Sequence, residues 1–219
     1  TMSSGLDAID FGLNRTSFAN EGNYQNQEDW AGYILSAPMV NTPGEHANYG
    51  SGNPHLLGPL LTKATKRKLS FYLHQYLLGP LGFKNYRLQT DDKGQPYFGG
   101  GWDLTARDLA SFGELYLHQG KSEEQQLLTK DWVRKSMQQH LILENTFDQN
   151  AYGYYFWHKT YQIGNRSIPS IEGRGSGGQY LFIVPEYDLV VVILSGNYQN
   201  NKGFQPERIM QDYILPEIK

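Results

Sequence analysis

The 219-residue chain has room for one large domain or two small ones, and is long enough to bury a core. Hydrophobic residues make up 39% and charged residues 19%, a globular composition that excludes a disordered chain. A formal net charge of -3 gives no electrostatic reason to expect nucleic acid or an anionic membrane as partner. The absence of cysteine excludes disulfide scaffolds, thiol catalysis and cysteine-ligated zinc, and leaves the compartment open.

Along the chain, residues 1–25 carry Asn, Gly and Ser without a sustained period and read as loop. Nothing at the start resembles a charged segment followed by an apolar one, so no leader is expected within the chain; Thr1–Leu6 reads like the middle of a longer protein. Asn26–Ala37 predicts a short helix capped by Asn26, and Pro38–Asn53 is dense in turn formers. From Pro54, apolar residues recur at helical spacing, and a second helix follows over Ser70–Leu78, stopped by Gly79-Pro80. Phe83–Gly101 is polar and glycine-rich, a loop with a small hairpin at Asp92-Lys93-Gly94, beside which Asp91 reads as part of a solvated tip. Thr105 and Asp108 form a capping box for a strong helix with Leu109, Phe112, Leu115 and Tyr116 as its apolar stripe, and Thr129 caps another over 129–139.

After Tyr152 the pattern changes to aromatic and β-branched residues. Tyr152–Tyr161, Ser167–Glu172, Gln179–Val184 and Asp188–Leu194 read as strands, the last two forming a hairpin across Pro185-Glu186-Tyr187, and Gln205–Leu215 as a closing amphipathic helix. The longest wholly apolar run, Leu189–Leu194, suits a buried strand and is far too short to span a membrane. The fold class expected is therefore α+β: a mainly helical region over 1–150, then antiparallel strands with a covering C-terminal helix over 151–219.

Two constellations could carry chemistry. Tyr49-Gly50-Ser51 ends a loop directly before a helix, where free backbone N–H groups and the positive end of the dipole converge. A tyrosine there could shuttle protons if a cation lowered its pKa, although the residues alone favour a ring simply packed on the helix. Gly173-Arg174-Gly175-Ser176-Gly177-Gly178-Gln179 leads into a strand, and its glycines would let backbone N–H groups approach an oxyanion beside the Arg174 cation. A plain strand connection explains that segment equally well. Gly99-Gly100-Gly101 reads as a structural turn. The six histidines lack HxH or HExxH spacing, and Ser176 lacks the G-x-S-x-G context, so neither a histidine metal site nor a nucleophile elbow is supported.

Five collinear segments carry a family resemblance. Met2-Ser3-Ser4-Gly5-Leu6, Tyr49-Gly50-Ser51 with Leu56-Leu57-Gly58, and Gly79-Pro80-Leu81-Gly82-Phe83 are followed by Leu104-Thr105-Ala106-Arg107-Asp108-Leu109 and by Gly177-Gly178-Gln179 running to Leu189-Val190-Val191-Val192. Together they resemble the β-lactamase-related, penicillin-binding-protein-like serine hydrolases, with Ser51 closer to the esterase and 6-aminohexanoate-oligomer hydrolase branch than to the class C cephalosporinases. The resemblance implies acyl transfer on a small-molecule ester, amide or lactam without cofactor or metal. Tyr49 and Ser51 become catalytic candidates, and Arg174, Gly175, Ser176, Gly177, Gly178 and Gln179 substrate-binding ones.

The family's nucleophile is the serine of an S-x-x-K motif. No serine of this sequence has lysine three residues on. The expectation is a C-terminal portion, catalytically incomplete alone, whose partner is a missing N-terminal segment or a second copy. The family's Lys-Thr-Gly or His-x-Gly element is met only by Arg174-Gly175-Ser176, which weakens the case for β-lactam carboxylate recognition. A non-catalytic relative that binds peptides or cell-wall fragments, or one half of a split enzyme, are the alternatives. The resemblance favours a periplasmic or extracellular setting.

Overall fold

The computed structural model describes residues 1–12, 16–146 and 150–218; residues 13–15 of the expected N-terminal loop lie outside them. In chain order the helices are α1 (Glu21–Tyr24), α2 (Trp30–Leu35), α3 (Gly52–His55), α4 (Leu57–Thr65), α5 (Leu69–Leu73), α6 (Ala106–Leu117), α7 (Lys130–Ser136) and α8 (Gln205–Ile209). The strands are β1 (Arg87–Leu88), β2 (Trp102–Asp103), β3 (Lys121–Ser122), β4 (Gln125–Gln126), β5 (Leu141–Ile142), β6 (Ala151–Gly153), β7 (Phe156–Ile163), β8 (Arg166–Gly175), β9 (Gln179–Val184) and β10 (Leu189–Leu194). The fold is α+β with an antiparallel sheet, and it divides into two compact units.

The first unit comprises Thr1–Asp103 with His140–Asn150. Its core gathers Ala8, Ala19, Tyr24, Trp30, Ile34, Ala37 and Tyr97 from elements far apart in sequence. Asn20 caps α1 through its side chain, forming a helix that the loop-like composition of this region conceals. Asp29, not Asn26, caps α2: its carboxylate accepts from the Gly32 N–H at 2.9 Å, and the cap lies three residues later than expected. The expected helix at Pro54 begins earlier, at Gly52, and is interrupted at Leu56 between α3 and α4. Helix α5 continues through a turn of π-helix, His74–Leu78, up to Gly79. Asp91 is buried and accepts from the Lys93 and Gln95 N–H groups; it builds the turn and is no solvated tip.

The second unit comprises Leu104–Gln139 with Ala151–Lys219, so α6 and α7 group with the sheet and not with the helical region before them. The reason is burial: Tyr116 and Val133 share a core with Phe156, Leu181 and Ile183. Five strands of this unit run antiparallel in the order β10-β9-β8-β7-β6. The single strand expected over 152–161 is two, because Tyr154 and Tyr155 adopt positive φ and turn the chain between β6 and β7. On the face opposite α6, the C-terminal helical segment contributes Met210 and Leu215 to a second core with Tyr161, Ile168, Tyr180 and Phe182. The last two strands pair from Leu189–Val184 to Leu194–Gln179, as the turn at Pro185 predicts.

Helix α6 opens on the expected capping box, with Thr105 accepting from the Asp108 N–H and Asp108 from the Thr105 N–H. Its Gly113 is unfavourable for helix formation by about 1 kcal/mol relative to Ala. Contact explains it: a Cβ there would lie 2.7 Å from a Val190 methyl and 2.8 Å from a Leu181 methyl. Gly113→Val should therefore destabilise the protein by about 1–3 kcal/mol through overpacking, read as a lower midpoint in urea. An unchanged midpoint would show that α6 does not need this close seat on the sheet.

Candidate active site

The Tyr49-Gly50-Ser51 loop is held from three sides within the first unit. Gly50 passes so close to Ala8 that an added Cβ would sit 1.7 Å from the Ala8 carbonyl oxygen, so no other residue fits. Asn145 clamps Tyr49: its carbonyl oxygen accepts from the Tyr49 N–H at 2.7 Å, and its amide nitrogen donates to the Tyr49 and Phe11 carbonyl oxygens. The Tyr49 ring stacks on Phe11, with centroids 5.3 Å apart and planes inclined by 20°.

Asp10 completes the arrangement. One carboxylate oxygen accepts from both the Ser51 N–H at 2.7 Å and the Ser51 hydroxyl at 2.6 Å, and the other from the Glu21 N–H at 2.9 Å. A carboxylate can only accept, so the Ser51 hydroxyl proton points to Asp10 and its oxygen offers lone pairs elsewhere. Ser51 is buried, and this pairing satisfies it. Asp10, Phe11 and Asn145 were not legible as site residues. They lie 41 residues before Ser51, 38 before Tyr49 and 96 after Tyr49, with no spacing that betrays them.

Burial, followed by the negative charges of Asp10 and Glu21, pushes the Tyr49 phenol up to about 12. At neutral pH it is a proton donor. Behind the loop, His55 stands fully buried among the Tyr24, Trp30 and Tyr97 rings, and burial lowers its pKa, so it is neutral there.

The second constellation is a hairpin and not an edge strand. Arg174 and Gly175 end β8, Ser176-Gly177-Gly178 turn, and Gln179 opens β9, with Gly175 paired to Gln179. Both glycines of the turn have positive φ, +78° and +82°, which requires the missing side chain. The strands on either side of this hairpin in the sheet are β7 and β10. The pairing of β7 with β8 ends at Trp157–Glu172, so Gly173–Gly175 project past it.

Arg174 does not reach outward. Its guanidinium pairs with Glu172 at 2.7 Å and with Glu207 at 3.4 Å, and lies over the Trp157 and Tyr180 rings. Glu172 also accepts from the Tyr161 hydroxyl at 2.9 Å; Glu207 accepts from the Tyr180 hydroxyl and pairs with Lys159. Two carboxylates thus balance two cations in the interior. Burial disfavours the Arg174 charge, but the attraction of Glu172 and Glu207 outweighs it and raises the pKa. Among the described residues no cluster of histidine and carboxylate side chains could hold a metal, and no helix is long and apolar enough to cross a membrane.

The family description "Beta-lactamase" matches residues 1–212. The chain belongs to the β-lactamase family. A 6-aminohexanoate-dimer hydrolase of Paenarthrobacter ureafaciens is 27% identical over 156 residues, covering 67% of this chain and 38% of that protein. Among solved structures, the octameric penicillin-binding protein homologue of Pyrococcus abyssi superposes with a TM-score of 0.69 at 19% identity, over 98% of this chain and 53% of that one. EstCE1, a hydrolase with promiscuous acyltransferase activity, gives 0.70 at 16% identity, over 96% and 69%. At these identities the structural matches show the β-lactamase/transpeptidase-like fold. The chain spans well under half the length of the curated hydrolase and about half that of the Pyrococcus protein.

Two outcomes follow from the site. Asp10→Asn places an amide against the Ser51 hydroxyl and the N–H groups of Ser51 and Glu21, weakening charge-assisted bonds. Stability should fall by about 1–3 kcal/mol in urea titration, while Asp10→Asn with unchanged stability would remove Asp10 as the loop's anchor. The second outcome is alkaline sensitivity. Burial first of all raises the pKa of Tyr24, Tyr97 and Tyr161 above the ordinary 10.0. The folded state then holds these protons longer than the unfolded chain does. Stability is complete below pH 10 and declines as pH rises above it, with a slope approaching about 1.4 kcal/mol per pH unit for each such tyrosine. Absorbance at 295 nm against pH should show these phenols ionising only together with unfolding; early, reversible titration of all the tyrosines would contradict the assignment.

Proposed function

We propose that this chain is the Tyr-x-Ser-bearing part of a serine hydrolase that works by acyl transfer on an ester, amide or lactam, and that Tyr49 is its proton shuttle. The observation that supports this reading is the anchoring of the Tyr49-Gly50-Ser51 loop by Ala8, Asp10 and Asn145, which fixes the backbone that carries a neutral phenol and a hydroxyl two residues apart. Tyr49 in its protonated form donates to a leaving group; to take a proton from a nucleophile it needs a cation nearby. The lysine of a Ser-x-x-Lys pair is such a cation, and the Ser51 oxygen, whose own proton is committed to Asp10, is an acceptor suited to position it. The 174–179 hairpin supplies the substrate side, with glycine backbone and Gln179 as contacts and Arg174 holding the hairpin through Glu172 and Glu207. No cofactor enters this chemistry.

The 219-residue chain taken alone, having no serine with lysine three residues on, should neither turn over p-nitrophenyl esters nor take up a fluorophosphonate label. In the full-length protein, Tyr49→Phe should lower kcat by at least about 100-fold, the range typical of lost general acid–base catalysis, with little change in stability. Near-wild-type turnover of Tyr49→Phe would remove Tyr49 from the mechanism, and stoichiometric labelling of the isolated chain would assign a different nucleophile.

A further inference from the structure

The loop that follows β10 returns to the glycine hairpin and lays Tyr198 on it. The ring is seated directly on Gly177: a Cβ at that position would lie 2.5 Å from Cε1 and 2.6 Å from Cζ of Tyr198. The seat is fixed at both ends. The Asn197 N–H donates to the Gly177 carbonyl oxygen at 2.9 Å, and the Gln179 side-chain amide donates to the Ser195 carbonyl oxygen and, at 3.3 Å, to the Tyr198 hydroxyl. Behind the ring, the Asn197 amide donates to the Lys202 carbonyl oxygen and the Gln205 side chain, tying the loop to the start of α8. Yet Tyr198 remains 59% exposed. Exposed aromatic rings are commonly free to rotate; this one is held with one face against backbone and the rest open.

We infer that Tyr198 is a specificity-determining residue, an aromatic wall beside the hairpin that receives the apolar part of an uncharged acyl group. The inference rests on the proposed hydrolase reading and names its substrate class. Two features of the hairpin favour an uncharged, apolar acyl group over a carboxylate-bearing one. The hairpin's own cation, Arg174, is enclosed by Glu172 and Glu207 and is not on offer to a substrate anion. The surface standing beside the glycines is a tyrosine face, which stacks on planar or apolar groups. Gly177 is required for the arrangement, since any side chain there would displace the ring.

The test compares p-nitrophenyl acetate, hexanoate and phenylacetate with the full-length protein. Tyr198→Ala should lower kcat/KM for hexanoate and phenylacetate by about 5- to 10-fold through KM, and leave acetate within about twofold. Tyr198→Phe should retain the wild-type preference, because the ring face and not the weakly bonded hydroxyl makes the contact. An equal loss on all three esters would assign Tyr198 a purely structural role, and an unchanged preference would show that the ring does not meet the acyl group; either overturns the inference while the hydrolase reading stands. Wild-type protein that hydrolyses none of the three overturns this inference and leaves the hydrolase reading to amides and lactams.

Discussion

One carboxylate organises the first unit's candidate site. Asp10 receives three hydrogen bonds, two from Ser51 and one from Glu21, and so ties the loop before α3 to the first residue of α1. Because a carboxylate has no proton to give, the direction of every bond around it is settled, including that of the Ser51 hydroxyl. The same charge, with that of Glu21, acts after burial to keep the neighbouring Tyr49 phenol protonated. Position and protonation state of two candidate catalytic groups thus share a source.

The second unit applies the same logic with opposite consequences. A guanidinium in front of a glycine hairpin suggests, as sequence, a handle for anions. In the fold it is the middle of a neutral buried set in which Glu172, Arg174, Glu207 and Lys159 compensate one another and Tyr161 and Tyr180 supply the remaining hydrogen bonds. Removing one charge would leave another buried without its counterion, which is far less favourable than the pair is favourable. Such a set links β7, β8 and β9 to α8 and gives the hairpin a rigid base. The exposed part of the hairpin is then Gly175 and Ser176, with Gln179 half-buried and Tyr198 resting on the buried Gly177.

Much of this was legible beforehand where the governing interaction is local. The Thr105–Asp108 box, the Thr129 cap, the Gln179–Val184 strand and the turn at Pro185 each depend on residues a few positions apart, and each is found. Misplaced boundaries have the same origin: Asn26 and Asp29 are both good caps, and the choice of Asp29 goes with the burial of Trp30 in the core. Two tyrosines in left-handed backbone broke a strand that composition alone presents as continuous, since nothing about Tyr154-Tyr155 announces a turn.

By itself, the sequence determined the family and the α+β character and singled out two candidate segments, because collinear short motifs and period patterns survive without coordinates. Tertiary structure alone decided what those segments can do. Hydrogen-bond direction at Ser51, the protonation of Tyr49, the enclosure of Arg174 and the seating of Tyr198 on Gly177 all depend on groups brought together across the chain. Electrostatic and steric effects act through distances of a few ångströms in space, and a linear sequence does not record which distant residues will be found there.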